Sequence, residues 1–194
     1  MSNIHYLKGA LKHFNPQFDH WDEPVVRKTN NGMVYGRPSR GFGDAPFEYA
    51  GKHMNPEPWT PELEAIKDQA ENLASAIYLD SIKFTFCLCG LYPREEGIPH
   101  HSDTVPTLDD VVVSVSFGAP RVFAWRTYQN AIKHHTNTSD IFFEENFLNK
   151  ETFYILEHGD VLIFDGHSQM KSTHAVPDLP LAEERINLTF RSGL

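Results

Sequence analysis

The chain has 194 residues, a hydrophobic content of 40% and a formal net charge of −9. This length fits one domain with a sizeable core, and the negative charge argues against a protein that holds duplex DNA by bulk electrostatics. No apolar run approaches the roughly 20 residues that cross a bilayer, and residues 1–15 lack the apolar segment of a signal peptide, so we expect a soluble intracellular protein, cytoplasmic or nuclear.

A helix start signal divides the first 80 residues. The segment before it is rich in Pro, Gly, Asn and aromatic residues, which predicts loops and strands with one short helix near Ile4–Phe14. Residues 60–62 (Thr-Pro-Glu) then supply an N-cap, a proline at the first helical position and an acid in the first turn. Apolar residues follow at helical spacing, at Leu63, Ile66, Ala70, Leu73 and Ile77. We therefore predict an amphipathic helix over residues 61–78 that packs on a sheet.

From Ser81 onward the hydrophobic pattern has a period of two residues. Short strands separated by Gly, Pro and Asp turns are predicted in KFTFCLCGLY, DDVVVSVSFG, RVFAWRTY, TFYIL, DVLIFDG, STHAVP and RINLTFR. Such strands after one helix predict a mostly β fold, an antiparallel double-sheet roll with the helix as an outer buttress. The polar stretch 128–151 interrupts this rhythm, and we expect it to cover one end of the roll.

The two cysteines, Cys87 and Cys89, stand two residues apart within one predicted strand. Their side chains then point to one face without good disulfide geometry. Reduced thiols in a reducing compartment are therefore expected, and a metal site is disfavoured because the chain has no second cysteine pair.

A metal-ligand pattern begins at His101. His101 and Asp103 are two residues apart, so in an extended strand the imidazole and the carboxylate share a face, and His174 is the best third candidate. Two histidines and one carboxylate leave positions open for non-haem Fe(II) and oxygen chemistry. Zinc is the second choice, because it prefers a closed tetrahedral set or three ligands plus water. The remaining histidines near these motifs are interpreted as structural or surface residues: His100, His134, His135, His158 and His167.

The strand RINLTFR carries an arginine at each end. Alternate residues of a strand point to opposite faces. One face is therefore polar, with Arg185, Asn187, Thr189 and Arg191, and the other is apolar, with Ile186, Leu188 and Phe190. Arginines on a half-buried strand are costly without an anion. A ferrous oxygenase needs a reductant that chelates the metal, and 2-oxoglutarate does so while leaving a distal carboxylate for a bidentate arginine. We therefore expect 2-oxoglutarate and O2 as co-substrates, with Arg185 holding the distal carboxylate.

Taken in order, HSD, SVSFGAPRVFAWR, LEHGDVLIFDG, the distal His174 and RINLTFR resemble the AlkB family of Fe(II)/2-oxoglutarate dioxygenases. Fainter similarity in RGFGDAPFEY and NPEPWTPELEAI extends toward the N-terminus. The resemblance implies a double-stranded β-helix (jelly-roll) catalytic core over residues 81–194, a buttressing helix over 59–80, and an N-terminal extension over 1–58 that forms a substrate lid, all in one domain.

The resemblance also implies roles for individual residues. Iron is held by the catalytic residues His101, Asp103 and His174. The co-substrate 2-oxoglutarate is held by Tyr92, Arg185, Asn187, Thr189 and Arg191, with the second arginine near the metal-chelating end. The implied activity is oxidative demethylation of N-alkylated bases in DNA or RNA, as in alkylation repair, on a base held out of its stack.

Several positions depart from the family pattern. Gly90 stands where the family usually has an asparagine, which removes one hydrogen bond to the co-substrate, and Thr104 and Val105 stand where base-repairing members often carry acids. Arg40 and Tyr49 are the best candidates for substrate contacts. Possible base-stacking residues in the same region are Tyr35, Phe42, Tyr49 and Trp59.

Three functions follow from these observations. The leading hypothesis is a demethylase of alkylated nucleic acid, acting on single strands in view of the acidic net charge, as a monomer that does not bind membranes. The second keeps the iron chemistry and changes the substrate to a protein side chain or a small molecule. The third is a non-catalytic jelly-roll binding module, which the buried charges of a ligand triad and an arginine pair argue against.

Overall fold

A computed structural model of the chain describes residues 4–24, 27–28, 34–49, 52–103, 107, 109–130 and 148–192. In chain order the strands are β1 (His5–Leu7), β2 (Arg27–Lys28), β3 (Val34–Tyr35), β4 (Ser39–Gly43), β5 (Phe47–Tyr49), β6 (Lys52–Met54), β7 (Phe86–Tyr92), β8 (Ile98–His101), β9 (Val111–Gly118), β10 (Arg121–Tyr128), β11 (Leu148–Leu156), β12 (Val161–Asp165), β13 (Ser172–Val176) and β14 (Arg185–Arg191). The helices are α1 (Pro61–Tyr78), between β6 and β7, and the single turn α2 (Gly166–Gln169), between β12 and β13.

Two antiparallel sheets form the core of the fold. The larger has the order β1-β12-β9-β14-β7-β4 and the smaller the order β11-β10-β13-β8, and two short hairpins join β2 to β3 and β5 to β6. Between the sheets lies an apolar cluster to which both contribute, including Val112 and Phe164 from the larger sheet and Trp125 and Val176 from the smaller. The predicted double-sheet roll, mostly β with a jelly-roll core, is therefore confirmed.

Helix α1 covers the outer face of the larger sheet, as predicted. Thr60 Oγ1 accepts a hydrogen bond of 3.2 Å from the backbone N–H of Leu63, which is the expected N-cap contact. The apolar stripe of α1, including Ile66 and Ala70, packs in one buried cluster with the apolar face of β14, including Leu188 and Phe190. The helix therefore packs against the outer, apolar face of β14, and the polar face of β14 is directed toward the space between the sheets.

The N-terminal segment differs from its prediction. Residues 4–14 form no helix: β1 pairs with β12, and turns follow over residues 8–13. β4 likewise pairs with β7 at the opposite edge of the larger sheet. The division at residue 58 stays a prediction, but both strands show that this extension contributes to the main sheet.

The seven strands predicted after residue 81 are present, but the pattern missed β8 (Ile98–His101) and where some of the other strands begin. β11 starts at Leu148, four residues before the predicted TFYIL, while residues 131–147 of the polar stretch lie outside the described part of the chain. Cys87 and Cys89 are free and buried, with Sγ atoms 3.8 Å apart, which confirms the predicted unlinked thiols. In the described residues no helix is both long and apolar enough to span a bilayer.

Candidate active site

Three potential metal ligands converge where β8 meets β13. His101 ends β8 and pairs directly with His174 in the middle of β13, and Asp103 follows two residues after His101. One ligand atom from each of the three residues lies within 4.8 Å of the other two. The structure therefore brings together the three side chains that the H-x-D spacing and the distal histidine predicted.

Different contacts orient the two imidazoles. His101 Nδ1 lies 2.8 Å from the carbonyl oxygen of Pro99, which assigns its proton to Nδ1 and leaves Nε2 as an acceptor. His174 is held by packing, since its ring is nearly parallel to that of Trp125, with 5° between the planes and 5.8 Å between the centroids. His174 Nε2 lies 3.7 Å from Asp103 Oδ2. Each ring thus keeps Nε2 available for a metal.

Hydrogen bonds from two sides fix Asp103. Its backbone N–H donates to Gln169 Oε1 at 2.6 Å, and its Oδ1 accepts from Arg191 Nη2 at 2.7 Å. The neighbouring Ser102 Oγ donates to the carbonyl oxygen of Ser172 at 3.0 Å. These contacts hold the turn after β8 against β13 and α2, and they link the carboxylate to the end of β14.

The charge states of the three residues suit metal binding. Burial by itself would raise the pKa of Asp103, but Arg191 and the two imidazoles outweigh it and lower the pKa to about 2. Burial lowers the pKa of His174 to about 3 and also lowers the pKa of His101. At neutral pH the carboxylate is ionised and both imidazoles are neutral, which are the protonation states that ligate metals.

Arg185, at the other end of β14, is a buried cation with neutral hydrogen-bond partners. Its side chain is 1% exposed, and it donates from Nε to Ser116 Oγ at 2.7 Å and from Nη2 to Asn187 Oδ1 at 2.5 Å. Nη1 has no acceptor among the residues that the structure describes. Burial lowers the pKa of Arg185 to about 10, so the guanidinium remains charged at neutral pH beside the ring of Tyr92, 4.6 Å from its centroid.

The polar face of β14 is continuous between these two ends. Asn187 Nδ2 donates to Thr189 Oγ1 at 2.8 Å, and Ser114 Oγ on β9 donates to Asn187 Oδ1 at 3.0 Å. Together with Arg185 and Arg191 these side chains line one side of the strand, in agreement with the predicted alternation. The strand therefore connects the metal-ligand end of the site to the buried guanidinium.

This donor set fits a ferrous ion and a 2-oxo diacid. Two neutral imidazoles with one carboxylate are typical of non-haem Fe(II) sites that leave positions open for other ligands. A buried guanidinium that has an N–H group without an acceptor favours binding of a carboxylate, because an unmade hydrogen bond of a charged group is costly. The residues that would hold the metal are His101, Asp103 and His174, and Arg185 would hold a carboxylate.

Arg40 requires a correction. It is 6% exposed, and its Nε and Nη2 donate to the two carboxylate oxygens of Glu57 at 2.8 and 2.6 Å. Its Nη1 donates to Asp19 Oδ1 at 2.6 Å. The predicted substrate contact is not supported, because two carboxylates of the fold already occupy this guanidinium. Tyr49, the other predicted contact, has a side chain outside the described part of the structure, so that role stays a prediction.

Of the other aromatic candidates for base stacking, the structure describes the side chains of two. Phe42 is 2% exposed within the cluster that α1 covers, and Trp59 packs against the same cluster, stacked on Phe190 at 6.4 Å between centroids. Phe42 is therefore a core residue, and Trp59 is partly buried at the edge of the core. The side chain of Tyr35 lies outside the described residues.

Three of the histidines set aside as structural have such contacts. His100 Nδ1 lies 3.1 Å from Thr173 Oγ1, and His158 Nε2 lies 2.8 Å from the carbonyl oxygen of Phe14. His167 Nε2 lies 2.8 Å from a carboxylate oxygen, Asp109 Oδ1. His134 and His135 fall outside the described residues.

Sequence reasoning missed the polar residues that support the site. Ser114 and Ser116 hold the polar face of β14 from β9, and Gln169 on α2 holds the backbone of Asp103. The S-x-S spacing in VVVSVSFG places both hydroxyls on one face of a strand, a signal that was readable. Gln169 carried no signal of this kind, because its partner lies 66 residues away.

Comparisons with known proteins agree with this geometry. The family described as the 2OG-Fe(II) oxygenase superfamily matches residues 9–191. The Alpha-ketoglutarate-dependent dioxygenase alkB homolog 3 of Bos taurus is 33% identical over an alignment of 180 positions, which covers 88% of this chain and 58% of the relative. The same protein of Homo sapiens is 33% identical over 183 residues with the same coverage of 88% and 58%.

A second relative and a solved structure extend the similarity across the chain. The DNA oxidative demethylase ALKBH2 of Bos taurus is 27% identical over an alignment of 200 positions, which covers 98% of this chain and 61% of the relative. The structure of OsALKBH1 superposes with a TM-score of 0.65 at 19% identity, covering 99% of this chain and 97% of that one, which establishes the shared fold. The chain therefore spans less than two thirds of the length of these curated relatives.

Proposed function

Because the chain belongs to the 2OG-Fe(II) oxygenase superfamily and, within it, to the AlkB family, we propose that it is a dioxygenase that demethylates N-alkylated bases in DNA or RNA. Its cofactor is Fe(II), and its co-substrates are 2-oxoglutarate and O2. The observation that carries this proposal is the convergence of His101, Asp103 and His174 within 4.8 Å, at one end of a strand whose other end holds a buried arginine.

Each residue of the site has a defined task in this reaction. The ligand triad binds the metal, Arg191 keeps Asp103 ionised and directed toward it, and Arg185 with Tyr92 binds the distal carboxylate. Asn187 and Thr189 support the strand between them. When bound, Fe(II) supplies the activation of O2, while 2-oxoglutarate supplies two electrons as it becomes succinate and CO2. One oxygen atom of O2 enters succinate and the other converts the N-methyl group to an N-hydroxymethyl group. This group loses its hydroxyl proton and leaves as formaldehyde, and the electrons of the broken C–N bond return to the base nitrogen.

The rings around His174 protect this chemistry from water. Trp125, Phe123 and Phe164 all pack against the imidazole, with ring centroids 5.8, 5.3 and 5.4 Å away. An apolar wall on this side of the metal excludes solvent and fixes the direction of one ligand. Substrate must then approach from another side, and the N-terminal 58 residues are proposed to form the lid over that opening.

The substrate class rests on the relatives. One is named a DNA oxidative demethylase, and the others are named dioxygenases of the alkB homolog 3 type. A base must leave its stack to reach a buried metal, and we propose single-stranded nucleic acid as the substrate, with the enzyme acting as a monomer.

The first experiment separates an enzyme from a binding module. The protein is incubated with Fe(II), O2 and 2-oxoglutarate, and succinate is measured, with a His174→Ala variant as control. We expect slow succinate formation even without a second substrate. Absence of succinate under all conditions, including those with methylated oligonucleotides, would contradict the dioxygenase proposal.

The second experiment identifies the substrate. Oligonucleotides that carry 1-methyladenine or 3-methylcytosine, in DNA and in RNA, are incubated with the active protein and weighed by mass spectrometry. The expected result is loss of the mass of one methylene group, with release of formaldehyde in equal amount. Succinate formation without change in any oligonucleotide would favour the alternative of a protein or small-molecule substrate.

A further inference from the structure

A third arginine reaches the end of the site that holds Arg185. The guanidinium carbon of Arg37, in the segment just before β4, lies 4.0 Å from the centroid of the Tyr92 ring. The guanidinium carbon of Arg185 lies 4.6 Å from the same centroid. Two cations therefore contact one phenol ring, at the opposite end of β14 from Arg191.

Gly90 makes room for Arg37. A Cβ atom at position 90 would lie 3.1 Å from Arg37 Cδ and 3.8 Å from its Cγ, and the first of these is closer than the 3.5–4.0 Å of good carbon contacts. Gly90 pairs with Asn187 on β14 and with Ser39 on β4, so it lies beside the polar residues of the site. The stem of Arg37 therefore covers the position where a side chain would otherwise stand.

Two guanidinium groups at one ring attract an anion. Burial is the main cause of the lowered pKa of Arg185, and the nearby charge of Arg37 adds to it. Two like charges at one ring in a partly buried site repel each other, and a carboxylate that both guanidinium groups contact offsets that cost. Bidentate recognition of carboxylates is the chemistry for which arginine is best suited.

We propose that Arg37 is a second guanidinium of the co-substrate clamp, which binds the distal carboxylate of 2-oxoglutarate together with Arg185. It replaces the polar contact that a side chain at position 90 would make, and it makes the site more selective for a dicarboxylate. This inference rests on the proposed function, because 2-oxoglutarate is the co-substrate of that reaction.

The test compares two ligands that differ only at the distal end. Dissociation constants are measured by calorimetry on the Mn(II)-loaded protein without O2, for 2-oxoglutarate and for 2-oxopentanoate, which has a methyl group in place of the distal carboxylate. Arg37→Met should weaken 2-oxoglutarate binding at least about 10-fold and leave 2-oxopentanoate nearly unchanged. The control is Arg94→Met, because Arg94 is 72% exposed and paired with Glu183, and it should alter neither constant.

A second variant tests the link to Gly90. Gly90→Val should displace the stem of Arg37 without supplying a hydrogen-bond donor, so adding Arg37→Met to it should weaken 2-oxoglutarate binding less than Arg37→Met does in the native chain. Mn(II) affinity and the unfolding temperature show whether each variant keeps its site and fold. If Arg37→Met fails to fold, the selectivity of Gly90→Val for the dicarboxylate decides the question, because that selectivity should fall.

The outcomes separate this inference from the proposed function. If the native protein binds no 2-oxoglutarate, both fail. If it binds 2-oxoglutarate, but Arg37→Met weakens both ligands equally or neither, the co-substrate proposal stands and Arg37 is excluded from the clamp. A variant with unchanged 2-oxoglutarate binding and a raised KM for a methylated oligonucleotide would place Arg37 on the nucleic-acid side and overturn the inference.

Discussion

Asp103 joins the two halves of the site through one carboxylate. It faces His174 through Oδ2 and accepts from Arg191 through Oδ1, so the carboxylate that would bind the metal also neutralises a buried arginine. A residue with two such partners tolerates little change, because loss of its charge weakens the metal site and leaves the charge of Arg191 without its carboxylate.

Asp103→Asn should therefore weaken metal binding while preserving the shape of the side chain. Changes in groups that merely support metal ligands cost about 10–100-fold in affinity, and loss of a charged ligand should cost at least as much. Mn(II) titration followed by paramagnetic resonance measures the effect. Asp109→Asn is the control, since the side chain of Asp109 is 91% exposed and pairs with His167, and its affinity should stay native.

Arg185 is expected to cost stability in exchange for ligand binding. Arg185→Met removes a buried charge whose described hydrogen-bond partners are the neutral Ser116 and Asn187, so the ligand-free protein should lose less than about 2 kcal/mol or gain stability. The same variant should lose the rise in unfolding temperature that 2-oxoglutarate gives the Mn(II)-loaded native protein. A native-sized rise in the variant would remove Arg185 from the clamp.

At the level of secondary structure, a buried carboxylate anchors α1 to the start of β7. Glu71 is 2% exposed and accepts from Lys67 Nζ at 3.1 Å, from Lys83 Nζ at 2.6 Å and from the backbone N–H of Phe84 at 3.0 Å. The helix that buttresses β14 is thus held by an ionic contact as well as by apolar packing.

Glu71→Gln should destabilise the protein by about 1–3 kcal/mol at pH 7. Burial would raise the pKa of Glu71, but the bonds from Lys83, Phe84 and Lys67 outweigh it and lower the pKa. The stabilisation is therefore full above the unfolded pKa of about 4.3 and is lost as pH falls through the lower folded value. Urea unfolding from pH 7 to pH 3 should show a shallower decline for Glu71→Gln than for the native protein, and the exposed Glu64→Gln on the same helix should follow the native curve.

Elements with local signals could be predicted, and those with distant partners could not. α1 was readable because its cap, first turn and apolar stripe lie within residues 60–78. β1 was not, because a three-residue strand is decided by its pairing with β12, more than 150 residues away, and local propensity there is weak. Arg40 failed for the same reason, since its carboxylate partners lie 17 and 21 residues away.

At the scale of the whole molecule, the fold places the site where two sheets meet, with β8 and β13 from the smaller sheet and β14 from the larger. The H-x-D spacing gave two of the three candidate metal ligands, and the alternation along β14 gave the face that carries both arginines, because periodicity determines which side chains share a side of a strand. The proposed contacts to a base depend instead on loops and on isolated side chains, for which the sequence has no periodic signal.

The net charge of −9 leads to a prediction about the form of the nucleic acid. A duplex carries twice the charge per length of a single strand, so an acidic protein meets more repulsion from it. A duplex also holds its bases in pairs, so the enzyme must extrude the target base at a cost of a few kcal/mol. We expect kcat/KM for 3-methylcytosine to be at least about 10-fold higher in a single strand than in a matched duplex at equal ionic strength.

A duplex with the lesion in an unpaired bulge separates the two causes. Recovery to the single-strand rate would assign the barrier to base extrusion, and a rate that stays low would assign it to charge repulsion. Equal rates on all three substrates would contradict the single-strand preference and require a residue that opens the duplex.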